Sequence, residues 1–152
     1  MPAAAGAPVA NDSFEMSLFV DTSMWYAAAD SSDIDNSAAR AVLSAGEPLV
    51  TSDHILVETW SLIRNRIDRR AAERFWNGLR EGVAAIETVG AADLEVAWQI
   101  GAVWRDQDFS IVDRTSFAVM RRLGIERVAS LDDHFAIFRF GANRRRAFTV
   151  VR

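Results

Sequence analysis

A chain of 152 residues that is half apolar, with nine Phe and five Trp, has the material for one domain with a full core. No apolar run in it approaches the length of a membrane span, and the absence of cysteine excludes disulfides, thiolate metal sites and cysteine nucleophiles. The net charge is −4 and all seventeen basic residues are Arg, so a P-loop and lysine-dependent phosphoryl-transfer sites are excluded too. Only His54 and His134 are available as imidazoles, which excludes a histidine-rich metal site. The catalytic inventory is carboxylates, hydroxyls and arginine.

Residues 1–16 read as a flexible extension, and 17–152 as a single domain. The first eight residues are small and uncharged, without the basic start and long apolar stretch of a signal peptide, and Met16 offers a second start. A cytoplasmic protein is expected.

Ser17 to Val20 is an apolar run that reads as a buried strand ending at Asp21. Thr22 or Ser23 then caps a helix through Trp25 to Ala29, and a second helix is predicted from Asn36 to Ala45, stopped by Gly46 and Pro48. Pro48 to Val50 is a strand, and Thr51 or Ser52 caps the most regular helix, Asp53 to Arg66. A helix over Arg69 to Arg80 and a strand over Ala85 to Val89 follow. Two further helices span Ala92 to Trp104 and Ser110 to Leu123, the latter closed by Gly124. Strands at Arg127 to Ser130 and Ala147 to Val151 complete the chain. Short apolar strands alternating with helices predict a mainly parallel sheet covered on both faces. Its functional crevice then lies beyond the carboxyl ends of the strands.

Four carboxylates fit such a crevice. Asp21 follows the first strand directly, and Thr22 and Ser23 can cap the helix in its place. Glu58 lies at the edge of an apolar stripe with no basic residue three or four positions away. Asp113 shares a helix face with Phe117 and Met120, and also completes a Ser110-x-x-Asp113 capping box. Asp132 and Asp133 follow a strand, and spacing alone does not choose between them. Clustered carboxylates either protonate or recruit cations, and oxygen ligands favour Mg²⁺ or Mn²⁺. Such a centre suits hydrolysis of a phosphodiester.

Four segments carry a family likeness: Phe19-Val20-Asp21-Thr22-Ser23, Leu56-Val57-Glu58-Thr59, Asp108 through Ala118, and Ser130-Leu131-Asp132-Asp133-His134-Phe135. In order and spacing the chain, from about Leu18 to Phe140, resembles the PIN-domain ribonucleases, specifically the VapC-type toxins of toxin–antitoxin modules. The resemblance implies a three-layer α/β/α fold and an acidic quartet at Asp21, Glu58, Asp113 and Asp132. It selects Asp132 over Asp133 through the family's Thr/Ser-x-Asp-x-x-Phe pattern. It also implies Mg²⁺- or Mn²⁺-dependent endoribonuclease activity on tRNA or rRNA, a homodimer, and neutralisation by a cognate antitoxin. Thr22 and Ser130 are expected to support the ligands. A non-toxin RNA-processing PIN nuclease and an inactive PIN module that binds proteins are the alternatives.

The negative net charge means that RNA must meet a local arginine patch. Arg144, Arg145 and Arg146 form one such run, for which a solvated turn is the commoner fate, and Arg64, Arg66, Arg69 and Arg70 form a second. Trp25, Tyr26, Trp60 and Trp76 can line an antitoxin groove or a dimer face, although core is the usual place for aromatics at helical spacing.

Overall fold

The computed structural model describes residues 14–152, so the extension expected at 1–16 lies largely outside the described residues. Within them, Phe14 packs against the core and its carbonyl accepts from Ser17 N at 2.9 Å.

Five strands form one sheet: β1 (Leu18–Val20), β2 (Leu49–Ser52), β3 (Ala85–Glu87), β4 (Arg127–Ala129) and β5 (Thr149–Val151). Their order is β3-β2-β1-β4-β5, and every pairing is parallel. The residues of β1 are completely buried, as a central strand covered on both faces requires. Parallel neighbours need crossovers, and among the described residues seven helices supply them. These are α1 (Thr22–Ala29), α2 (Asn36–Leu43), α3 (Asp53–Arg66), α4 (Arg69–Arg80), α5 (Ala91–Val103), α6 (Ile111–Leu123) and α7 (His134–Ile137). The fold is a three-layer α/β/α sandwich, as expected. Helices α1 to α4 pack with one another, and α5 to α7 form the second layer.

Chain order sets where the site falls. From β1 the sheet grows outward through β2 to β3, then the chain crosses back and adds β4 on the other side of β1. The crossover direction reverses between β1 and β4, which opens a crevice at their carboxyl ends. Asp21 and Ser130 are the residues immediately beyond these two strands.

Local chemistry fixes the helices that flank the crevice. Ser52 Oγ accepts from Ile55 N at 3.1 Å and starts α3. Asp68 does the same for α4 through Ala71 N at 2.8 Å. Helix α6 is pinned from below by Phe117, which stacks on Phe138 at 4.4 Å and meets Phe109 and Phe135 edge-on at 5.2 and 5.1 Å.

Two differences from the sequence reading have physical causes. The final strand begins at Thr149 rather than Ala147, because Phe148 turns into this aromatic cluster, 4.7 Å from Phe140. Helix α7, unforeseen because four residues carry no readable periodicity, is anchored by the fully buried Phe135.

Candidate active site

Asp21 occupies the N-cap position of α1 but makes no side-chain cap. Its carboxylate is turned instead toward the β4 end. Oδ2 accepts from Ser23 Oγ and from Ser130 Oγ, both at 2.9 Å. The two hydroxyls in turn accept from backbone amides, Ser23 Oγ from Leu131 N at 2.9 Å and Ser130 Oγ from Asp132 N at 3.0 Å. Accepting from an amide leaves each hydroxyl its proton to give to Asp21. The loop after β1 and the loop after β4 are thereby sewn together through one carboxylate.

Asp113 sits in the first turn of α6 and closes the predicted capping box. Ser110 N donates to its Oδ2 and its own amide donates to Ser110 Oγ, each at 3.0 Å. The same Oδ2 accepts from His134 Nδ1 at 2.7 Å. A carboxylate can only accept, so Nδ1 carries the proton. The ring is held edge-on against Phe109, centroids 5.2 Å apart. Asp132 completes the group: its Oδ1 accepts from His134 N at 2.8 Å and lies 3.4 Å from His134 Nδ1. Asp133 points elsewhere, pairing with Arg152 at 2.7 Å. Asp132, and not Asp133, lines the cavity that holds Asp113.

All four expected acids line one cavity of about 430 Å³, together with Thr22, Ser23 and Ser110. They differ in how they are held. Asp21 and Asp113 are buried, at 5% and 7% exposure, whereas Glu58 is exposed and has no hydrogen-bond or ion-pair partner among the described residues. Donor atoms of Asp113, Asp132 and His134 lie within 4.8 Å of one another, while Asp21 and Glu58 stand around this trio.

Sequence reasoning missed His134, although its place two residues after Asp132 was visible. It also missed Tyr26, Asp33 and Asp108 in the lining, which Arg66, a member of the second arginine cluster, joins. Arg144, Arg145 and Arg146 do not line the cavity. Arg144 lies over the Trp104 ring at 5.3 Å, and Arg146 pairs with Glu126 and lies over Phe140 at 5.3 Å.

The electrostatics are those of a cation site. Burial is the main cause that pushes the Asp21 carboxyl up to about 6. The hydrogen bonds from Ser130 and Ser23 work against that rise, and the charge of Asp113 adds to it. Burial opposes the charge on His134, but the hydrogen bond and charge of Asp113, with Asp132 and Asp108, outweigh it and hold the imidazole pKa above its ordinary value. Thr22 Oγ1 is buried at the cavity wall and has no hydrogen-bond partner among the described residues. Crowded carboxylate oxygens and a spare hydroxyl fit a hydrated divalent ion.

Comparison with known proteins identifies the family. The PIN domain family matches residues 18–141 of the chain. The chain belongs to the PIN-domain family. Its relatives place this PIN domain among the VapC type. The 23S rRNA-specific endonuclease VapC20 of Mycobacterium tuberculosis is 37% identical over 120 residues, covering 78% of this chain and 92% of the relative. Ribonuclease VapC26 of the same organism is 28% identical over 137 residues, covering 88% and 99%. A crystal structure of Mycobacterium tuberculosis VapC20, titled a sarcin-ricin loop cleaving toxin, matches with a TM-score of 0.75 at 36% identity, over 80% of this chain and 94% of that one.

The raised carboxyl of Asp21 makes the metal-free PIN domain sensitive to pH. A group whose pKa is higher in the folded state stabilises the fold below its unfolded value. That contribution is lost as pH rises from 3.8 through about 6. A shift of this size corresponds to about 3 kcal/mol. In chelator, the stability of the wild type relative to Asp21→Asn should therefore fall by most of that amount between pH 4 and pH 7, as read by urea denaturation. Parallel pH profiles for the two proteins would contradict the assignment.

Proposed function

We propose that this chain is a divalent-metal-dependent endoribonuclease toxin, held inactive by a cognate antitoxin and acting in the cytoplasm on tRNA or rRNA. The observation that carries this reading is the convergence of Asp21, Glu58, Asp113 and Asp132 on one cavity, with His134 bridging Asp113 and Asp132. The 23S rRNA named for the VapC20 relative makes ribosomal RNA the first substrate to test.

Asp113 and Asp132 would hold the ion, with Asp21 beside them and His134 Nδ1–H orienting their carboxylates, and the oxygen donor set suits Mg²⁺ or Mn²⁺. When bound, such an ion stabilises charge on the phosphate oxygens and makes water a better nucleophile near neutral pH.

The side chains divide the remaining work. Asp21, fixed by Ser23 and Ser130, and Asp113, fixed by Ser110 and His134, supply negative charge in one geometry with little freedom to relax. Of the four expected acids, Glu58 is the one without a hydrogen-bond or ion-pair partner among the described residues, which leaves it free to take a proton from the attacking water. Water oxygen forms the new P–O bond as one ester P–O bond breaks. The proton taken by Glu58 balances the one that the departing oxygen gains.

Two surfaces support the partners. A groove of about 380 Å³ between α1, α2 and α4, walled by Trp25, Leu43, Phe75 and Leu79 with Arg40 and Arg74 at its margin, suits an amphipathic antitoxin helix. On α5, Leu94 and Trp98 stand one turn apart at 47% and 72% exposure, an apolar face suited to a second copy of the chain.

Incubation with ribosomes or tRNA in Mg²⁺ or Mn²⁺, followed by mapping of the new RNA ends, tests the central claim. Cleavage by the wild type should disappear in EDTA and fall at least a thousandfold in Asp21→Asn and Asp113→Asn. Full activity in either variant removes the reading. Expression should also arrest growth, and co-expression of the antitoxin should relieve the arrest; unimpeded growth would leave a non-toxin nuclease. His134→Ala should weaken Mn²⁺ binding in calorimetry by about 10- to 100-fold. An unchanged affinity would assign that nitrogen no part in the site. Trp98→Glu should convert a dimer to a monomer in analytical ultracentrifugation, and a wild type that sediments as a monomer would exclude the dimer.

A further inference from the structure

An RNA strand that enters this cavity meets a hostile field. Six acids line it: Asp21, Asp33, Glu58, Asp108, Asp113 and Asp132. A divalent ion held at Asp113 and Asp132 can neutralise the phosphate that is cut. It does little for the neighbouring phosphates of the same strand, which lie farther from it. Among the described residues, Arg66 is the one arginine in the lining.

Its position follows from α3. Glu58, Leu62 and Arg66 succeed one another at intervals of four residues, so they lie along one face of the helix, and all three line the cavity. Eight residues separate the two charged groups, about 12 Å along the helix axis. Arg66 is therefore too far along to share the phosphate that Glu58 serves, and well placed for another on the same strand.

Its side chain is also prepared. The guanidinium carbon lies 5.3 Å from the centroid of the Tyr26 ring. That ring is itself fixed. Its hydroxyl donates to Asp30 Oδ2 at 2.7 Å, and its body packs with Ile63, Ala71 and Ala72. Asp30 in turn accepts from Ser32 N at 3.0 Å and from Ser32 Oγ at 2.7 Å. Arg66 is exposed, and no carboxylate lies within ion-pair distance of it among the described residues. A guanidinium stacked on a rigid ring and not neutralised by an acid is a preorganised fork for phosphate oxygens. Stabilising the carboxyl end of α3 does not account for this placement. Arg64 stands in the same last turn and is not part of the cavity wall.

We propose that Arg66, laid over the Tyr26 ring at the rim of the acidic cavity, is a subsite that binds an RNA phosphodiester adjacent to the one that is cut. The subsite rests on the ribonuclease reading above and adds to it a residue that positions the strand. It acts through charge and orientation, and makes or breaks no bond.

Its signature is the salt dependence of RNA binding. In an Asp113→Asn background, which prevents cleavage, anisotropy of a labelled single-stranded RNA oligonucleotide with Mg²⁺ gives the affinity as a function of salt. Removing one phosphate contact lowers the slope of log affinity against log salt by about 0.7 for a single strand. Arg66→Ala should show that fall and bind about tenfold more weakly. Arg66→Lys keeps the charge and should keep the slope. Arg74→Ala, on the separate groove, should leave it unmoved. In the active protein, Arg66→Ala should raise KM with little change in kcat. A slope unchanged in Arg66→Ala overturns the subsite, as does an equal fall in Arg74→Ala or a fall that Arg66→Lys does not restore. Cleavage by the wild type together with an unmoved slope removes Arg66 alone; a wild type that cuts no RNA removes the ribonuclease reading beneath it.

Discussion

Placing a carboxylate, with almost no access to water, at the end of the central strand of a parallel sheet costs free energy, and most of the site can be understood from how that cost is met. Asp21 is the residue in question. Two serine hydroxyls are committed to its Oδ2, one from its own loop and one from the loop after β4. Those hydroxyls are oriented by the Leu131 and Asp132 amides. The arrangement does not fully compensate the burial, since the carboxyl is still pushed up to about 6. The residual penalty is what a cation relieves. The strain that makes the empty fold less favourable near neutral pH is the same quantity that makes an ion bind there.

The acids fall into two mechanical classes. Asp21, Asp113 and Asp132 are built into strand ends and first turns, and each is tied to backbone amides or to hydroxyls that amides orient. Glu58 and Arg66 project from one face of α3 and are exposed. One group defines where the reacting phosphate sits, and the other meets what moves, namely water and strand. A catalytic site needs both, because a fully locked cavity admits no polymer and a fully loose one fixes no geometry.

Much of this was legible in the chain. The alternation of short apolar runs with helices yielded the parallel sheet, and strand-end position singled out Asp21. For Asp113, a helix face and a capping box both pointed to the same residue, and both hold. Glu58 and the preference for Asp132 rested on family likeness, because a lone mid-helix Glu and a pair of Asp in a turn have ordinary explanations. What escaped was long-range. His134 joins Asp113 across the fold from a helix of one turn, too short for any period to mark. Arg66 stood in a run of arginines that reads either as solvent surface or as an RNA-contacting edge, with nothing to single it out. Only the docking of α3 beside Tyr26 separates it from Arg64. Arg144 to Arg146 lie outside the cavity lining, where neighbouring rings and Glu126 hold Arg144 and Arg146.

The bonds that orient Asp21 span a long stretch of chain. Ser23 Oγ accepts from Leu131 N across 108 residues, and Ser130 reaches back 109 to Asp21. With every strand parallel, no local hairpin can assemble the crevice early. A chain emerging from the ribosome therefore carries all of β1, α1 and α3, with Asp21 and Glu58 in hand, and still has no nuclease. Activity begins only when β4 threads in beside β1, with most of the protein already made. Synthesis itself thus imposes a delay between the birth of the polypeptide and its first capacity to cut RNA.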